Sequence, residues 1–160
     1  MRTFTTTEEL TDAKGEDLGV TDWTTMTQER VNTMADAIDD HQWIHVDKER
    51  ADAGPFGGPI AHGFLSLSYL PTLAGQTFDF SAWPALINYG LNKARFPVPV
   101  HVGDRIRAHA VLADVVPKGS GTLVTLDLTL EIDGGDGTVK PGCLCEFLVL
   151  LLGEPVATAG

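Results

Sequence analysis

Hydrophobic positions along this 160-residue chain change period partway through. Val31, Met34, Ala35 and Ile38 fall at i, i+3, i+4 and i+7, one face of a helix. Thr25-x-x-Gln28 ahead of them resembles a capping box, and the short polar side chains of Asp39-Asp40 predict the helix's end. Residues 39–60 have no long period and read as an ordered loop, with one helical turn over Lys48–Ala53. From Ala61 to Ala74 nearly every side chain is apolar or small, among them Phe64, Leu65, Leu67, Tyr69, Leu70 and Leu73. A helix that is apolar nearly all round is a buried one. Pro71 is expected to kink it or end its regular part.

Beyond Gly75 the pattern is that of strands. Ile87–Phe96 reads as the first, Arg105–Val116 as the second and Val139–Leu152 as the last. Between them Thr122–Ile132 alternates strictly, with Val124, Leu126, Leu128, Leu130 and Ile132 on one face. Pro117–Gly121 and Asp133–Gly137 read as the turns. Residues 1–19 are polar, with a short helix at Thr7–Lys14, and Pro155–Gly160 reads as a frayed tail.

The order is helix, loop, buried helix, then an antiparallel meander. A long apolar helix must be covered, and a curved antiparallel sheet wrapped round it is the economical solution. The predicted class is α+β, a single hotdog domain with its core over about residues 20–152 and a flexible tail at 153–160. Such a meander leaves sheet edges to be covered, so a homodimer is expected.

Composition narrows the partners. A net charge of −11 argues against nucleic acid and against an anionic membrane surface. The basic residues available to an anionic ligand are Lys93, Arg95, Arg105 and Arg107. No apolar run reaches 18 residues, and Met1-Arg2-Thr3-Phe4 is followed by threonines and acids, so neither a spanning helix nor a signal peptide is expected. Cys143 and Cys145 are two apart on a strand and read as small buried hydrophobes, which fits a cytoplasmic protein.

The candidate chemistry lies in the loop. Asp40 and His45 place a carboxylate and an imidazole five residues apart, and Gly63 stands at the start of the apolar helix. Adding water next to a thioester carbonyl requires hydroxide character at one carbon, a proton at its neighbour and stabilisation of the enolate oxygen. A carboxylate and an imidazole holding one water can do the first two. A backbone N–H at a helix N-terminus can do the third, at about 3–4 kcal/mol per donor. Glycine there leaves the approach open.

Asp40-His41-Gln42-Trp43-Ile44-His45 resembles the hydratase 2 motif of (R)-specific enoyl-CoA hydratases and MaoC-like dehydratases, usually Gly-Asp-x-Asn-Pro-Leu/Ile/Val-His with a small residue six positions on. Asp40 matches its Asp, His45 its His and Ala51 the small residue. Asp39 stands for Gly, Gln42 for Asn and Trp43 for Pro, which touches loop support and leaves subfamily and substrate open. Ala61-His62-Gly63-Phe64 and the run Asn88–Pro99 also match, so the resemblance covers roughly residues 20–150. It implies a hotdog enoyl-CoA hydratase that needs no cofactor or metal, with coenzyme A thioesters as substrates. It implies Asp40, His45 and Gly63 as catalytic residues, without deciding which of Asp40 and His45 is the base.

Other positions keep two readings. His62 either lines the pocket or packs at the helix start. His41 reads as a solvated loop residue, and His101 and His109 as surface or strand residues. Ser66 either lines an acyl tunnel or bonds back to its own helix. Asn88 and Asn92 either bind the acyl-pantetheine arm or finish turns. Lys93 and Arg95 either meet the coenzyme A phosphates or are solvated. The alternative activities are a hotdog acyl-CoA thioesterase, whose carboxylate directs water at the thioester carbon, and a non-catalytic acyl-CoA-binding module.

Overall fold

A computed structural model describes residues 1–156. The chain runs β1 (Arg2–Thr3), α1 (Thr7–Asp12), β2 (Asp17–Val20), β3 (Thr24–Thr25), α2 (Gln28–Ile38), α3 (Trp43–Val46), α4 (Lys48–Asp52), α5 (Gly63–Ala74), β4 (Phe78–Asp79), β5 (Ala85–Arg95), β6 (Arg105–Lys118), β7 (Gly121–Asp133) and β8 (Val139–Leu152). The main sheet is antiparallel in the order β2-β6-β7-β8-β5, with β3 also on β6. β1 and β4 form a separate parallel pair.

The sheet wraps α5, which packs on β6, β7 and β8 in the expected hotdog arrangement. Alternation explains the seat. Ile106, Ala108, Ala110 and Leu112 of β6 are fully buried, as are Val124, Leu126, Leu128 and Leu130 of β7. The two alanines give the helix room to approach. From α5, Leu65, Leu67, Leu70 and Leu73 complete one continuous core, and Leu70 has no exposed surface. Burying a leucine side chain fully stabilises by roughly 1.5–3 kcal/mol. Cys143 and Cys145 point into this core as free, buried thiols. Among the described residues no helix is long and apolar enough to cross a membrane.

Several expectations are corrected. Thr25 is not a cap. It pairs with Arg105 in β3, and the N-cap of α2 is Thr27, whose hydroxyl accepts from Arg30 N–H at 3.2 Å. The loop contains a second short helix, α3, too brief to show a period. α5 is not buried all round, since Phe64 is 67% exposed and Ser68 and Thr72 face solvent. Pro71 does not end it. The carbonyl deprived of a donor is that of Leu67, and both residues line an open cleft. Pro117 lies within β6 rather than in the turn, pairing with Thr122. The opposite edge of β6 is free there, because β2 reaches only Val111, so the missing N–H leaves no ladder bond unmade. Of the expected tail, residues 157–160 lie outside the described residues, and Val156 N–H donates to Ala82 O at 2.7 Å.

Leu70→Ala, which opens a cavity between α5 and the sheet, is expected to cost about 2–5 kcal/mol in urea denaturation. A loss under about 1 kcal/mol would show that α5 is not the centre of the core.

Candidate functional site

The site forms where α2 ends and α5 begins. The C-cap of α2 is Asp39, in the left-handed region at φ 56°, and Asp40 N–H donates to Ala35 O at 3.1 Å. Glycine is favoured at such a C-cap, and Asp tolerates it better than most residues. This is the position where the resembled motif has Gly, so Asp39 keeps the turn that glycine would make. The chain then enters α3, which buries His45 (6% exposed) and leaves Asp40 exposed.

Three groups orient His45. Its Nδ1–H donates to the Ile60 carbonyl at 2.7 Å, so in the neutral ring Nε2 carries the lone pair. Its own carbonyl accepts from Gln28 Nε2 at 2.8 Å, and Gln28 also reaches Asn32 Oδ1 at 2.8 Å. The His62 ring stacks on it, centroids 3.8 Å apart and planes 26° apart. Burial pushes the His45 imidazole below its ordinary range. The Ile60 bond opposes this, His62 adds to it, and the Asp40 charge opposes it. The balance favours a neutral ring.

His62 is buried as well (3% exposed). Its Nε2–H donates to the Asp40 main-chain carbonyl at 3.0 Å. A ring nitrogen of each histidine and an Asp40 carboxylate oxygen lie within 4.8 Å of one another. That spacing is within reach of a single metal ion, and with His45 Nδ1–H and His62 Nε2–H each committed to a backbone carbonyl, one nitrogen per neutral ring is left.

Gly63 is the first residue of α5, and His62 makes no side-chain cap. The first turn's N–H groups have no partner inside a helix. The bond of Ser66 N–H to His62 O, at 3.2 Å, is where the helical pattern begins. A Cβ at Gly63 would lie 3.2 Å from the ring atoms of Phe96, so a side chain here would press on that ring as well as narrow the approach. Ser66 is buried one turn on. A cleft of about 460 Å³ lies between α2 and α5, lined by Thr27, Glu29, Arg30, Met34, Ala37 and Leu65 among others; Asp40 and His45 do not line it.

The remaining candidates lie apart. Asn88 lines a second cleft of about 440 Å³ with Leu67, Leu91 and Phe147. Asn92 lies at an irregularity of β5, and it and Lys93 both bond Glu146 of the neighbouring strand. The bond to Glu146 holds the Lys93 ammonium above its usual range. Arg95 is exposed and donates to Ala94 O at 2.7 Å. The expected basic cluster does not assemble. β6 is separated from β5 by β7 and β8, about 14 Å at three strand spacings. Arg105 pairs with Asp133 at 3.0 Å and Arg107 with Glu131 at 2.6 Å, and both overlie the Trp23 ring. His41 pairs with Asp36 at 2.8 Å and His109 with Asp17 at 2.9 Å, while His101 bonds the Phe56 carbonyl at 3.0 Å. Gln28, Ile60 and Phe96 were not legible as supports of the site. A backbone carbonyl has no sequence signature, and Gln28 acts across 17 residues.

A hotdog fold with an acid and an imidazole at the start of its central helix carries groups that adding or removing water at an acyl thioester needs. The MaoC-like domain model matches residues 9–131, and the chain belongs to that family. It is 51% identical over 150 residues to the 3-hydroxyacyl-thioester dehydratase Z of Mycobacterium tuberculosis, covering 93% of this chain and 97% of the relative. It is 38% identical over 149 residues to nodulation protein N of Rhizobium leguminosarum bv. viciae, covering 88% of each. In fold it resembles the (R)-hydratase PhaJ1 of Pseudomonas aeruginosa, with a TM-score of 0.74 at 21% identity over 98% of this chain and 92% of that one.

Because position 39 is left-handed, Asp39→Gly is expected to be neutral or stabilising by up to about 1 kcal/mol, and Asp39→Val to cost about 1–2 kcal/mol. Denaturant melts of the two variants check this, and equal stabilities would contradict the assigned turn.

Proposed function

We propose that the protein reversibly hydrates trans-2-enoyl-CoA thioesters to (R)-3-hydroxyacyl-CoA. The observation that carries the reading is one juxtaposition: the Asp40 carboxylate, a neutral His45 with its Nε2 lone pair free of the Ile60 bond, and the first turn of α5. The thioester is supported by the name of the 51% identical relative, and the (R) configuration by the motif's resemblance to (R)-specific hydratases.

A water held between Asp40 and His45 adds its oxygen to C3. The pair takes up one water proton, and the double bond's electrons pass through C2 to the thioester oxygen. That oxygen, now an enolate, accepts from Gly63 N–H at the positive end of α5. The Asp40/His45 pair then returns a proton to C2. The sum is substrate plus one water, so the protons balance without a cofactor. The reverse sequence is dehydration. The apolar members of the cleft between α2 and α5, Met34, Ala37 and Leu65, offer space for the acyl chain.

Incubation with crotonyl-CoA tests the reading. Loss of enoyl absorbance without free thiol supports it. Release of free thiol would make the protein a thioesterase, and binding without turnover across several chain lengths would make it a binding module. Asp40→Asn and His45→Gln are each expected to lower turnover at least about 10²-fold while leaving the fold intact. Near-normal activity in either would refute the assigned roles.

The same proposal includes a homodimer. β5 is the sheet's edge, and its Leu86, Ile87, Tyr89 and Leu91 are each 40–48% exposed. A second copy is the economical cover for such an edge. Light scattering of active protein is expected to give twice the 17.1 kDa chain mass, and a concentration-independent monomer would contradict it.

A further inference from the structure

His62 is a buried imidazole that the proposed reaction leaves without a task. It differs from the other histidines outside the pair. His41, His101 and His109 reach exposed or part-exposed partners, whereas His62 is 3% exposed and touches both Asp40 and His45. Its Nε2–H is committed to the Asp40 carbonyl, which fixes its tautomer and puts the lone pair on Nδ1. Nδ1 is buried with no hydrogen-bond partner, an arrangement that costs free energy. An alkyl or aromatic side chain would avoid that cost, so packing alone does not account for a histidine here.

The geometry points to His62 as a positioning residue that sets both members of the pair at once: its Nε2–H holds the Asp40 main chain while its ring face backs the His45 ring. This inference rests on the hydration reading for its kinetic consequence, but not for its structural one. Asp40 N–H donates to Ala35 O at 3.1 Å and its carboxylate accepts from Gln42 N–H at a long 3.4 Å, so the His62 bond at 3.0 Å is the tether that joins Asp40 to the start of α5. The stacked ring also keeps water from one face of His45. A smaller side chain at 62 would admit water there and weaken the largest cause that keeps His45 uncharged. Of the titratable groups that face His45, Asp40 favours its protonation and His62 opposes it. Gln28 from α2 and Ile60 before α5 bring neutral groups.

The sign follows from this. The free Nε2 lone pair of His45 is the active form, and activity falls as pH drops through the lowered pKa. Losing the His62 ring raises that pKa, so the acid limb of the pH profile moves to higher pH.

The test uses full-length protein with 15N-labelled histidine, alongside kcat and KM for an enoyl-CoA across pH. In the wild type, His45 is expected to show the Nδ1–H tautomer and to titrate below an ordinary histidine. His62→Ala is expected to move that titration and the acid limb upward together and to lower kcat about 10²-fold, with KM within about twofold. His62→Phe keeps the ring face and loses the clamp, so it is expected to lower kcat while moving the limb less than alanine does. If the alanine variant does not fold, His62→Gln, which retains a donor for Asp40 and loses the ring, is read for the same upward movement. A His45 titration in His62→Ala, or in its glutamine substitute, that coincides with the wild type overturns the inference. So does a rise in KM at unchanged kcat. A wild type inactive on every enoyl thioester would defeat the hydration reading instead, and the ring titration would still decide the role of His62.

Discussion

The segment Pro59–His62 ties the loop that carries the chemistry to the helix the sheet is built around. Ile60 N–H donates to Ile44 O at 3.0 Å, and Ala61 N–H to Val100 O at 2.7 Å. Val102 N–H donates to Pro59 O at 2.9 Å, and the Ile60 carbonyl receives His45 Nδ1–H at 2.7 Å. These bonds fasten α3 on one side and the turn before β6 on the other. Because the segment runs directly into α5, the burial that fixes the helix also fixes the distance from its N-terminus to Asp40 and His45. A buried backbone group left unpaired costs about 1–3 kcal/mol, so the arrangement has few alternatives.

The same economy shapes the site. One carbonyl sets the tautomer of His45, and burial favours the uncharged ring that proton transfer requires near neutral pH. Gly63 answers two demands. Its first-turn N–H is free of intrahelical bonding, and its lack of a Cβ lets Phe96 lie against the start of α5. A substitution there disturbs packing and access together, so stability and turnover must be measured side by side before either role is assigned to it.

What the sequence disclosed follows from which interactions have a period or a motif. The alternation in β7 and the apolar run of α5 put nearly every core position on the correct face, because core burial is what imposes those periods. Asp40 and His45 were legible as a spaced pair, and Asp39 in place of Gly is explained by the left-handed turn both residues tolerate. Which of the two readings held for the basic residues was not legible, because Lys93, Arg105 and Arg107 find acids on neighbouring strands, and those pairings depend on sheet register. Gln28 was taken for half of a capping box because local spacing could not reveal a contact with His45 across 17 residues. Strands β1 to β4, of two to four residues each, are too short to carry any pattern.

The central claim is that Asp40, His45 and the α5 terminus act on the same acyl thioester. The most direct measurement is a crystal structure of the protein with a bound 3-hydroxyacyl-CoA. The account predicts the C3 hydroxyl within about 2.6–3.2 Å of His45 Nε2 or the Asp40 carboxylate, and the thioester oxygen on Gly63 N–H. A ligand seated with its thioester oxygen away from α5, or with C3 out of reach of both side chains, would contradict it.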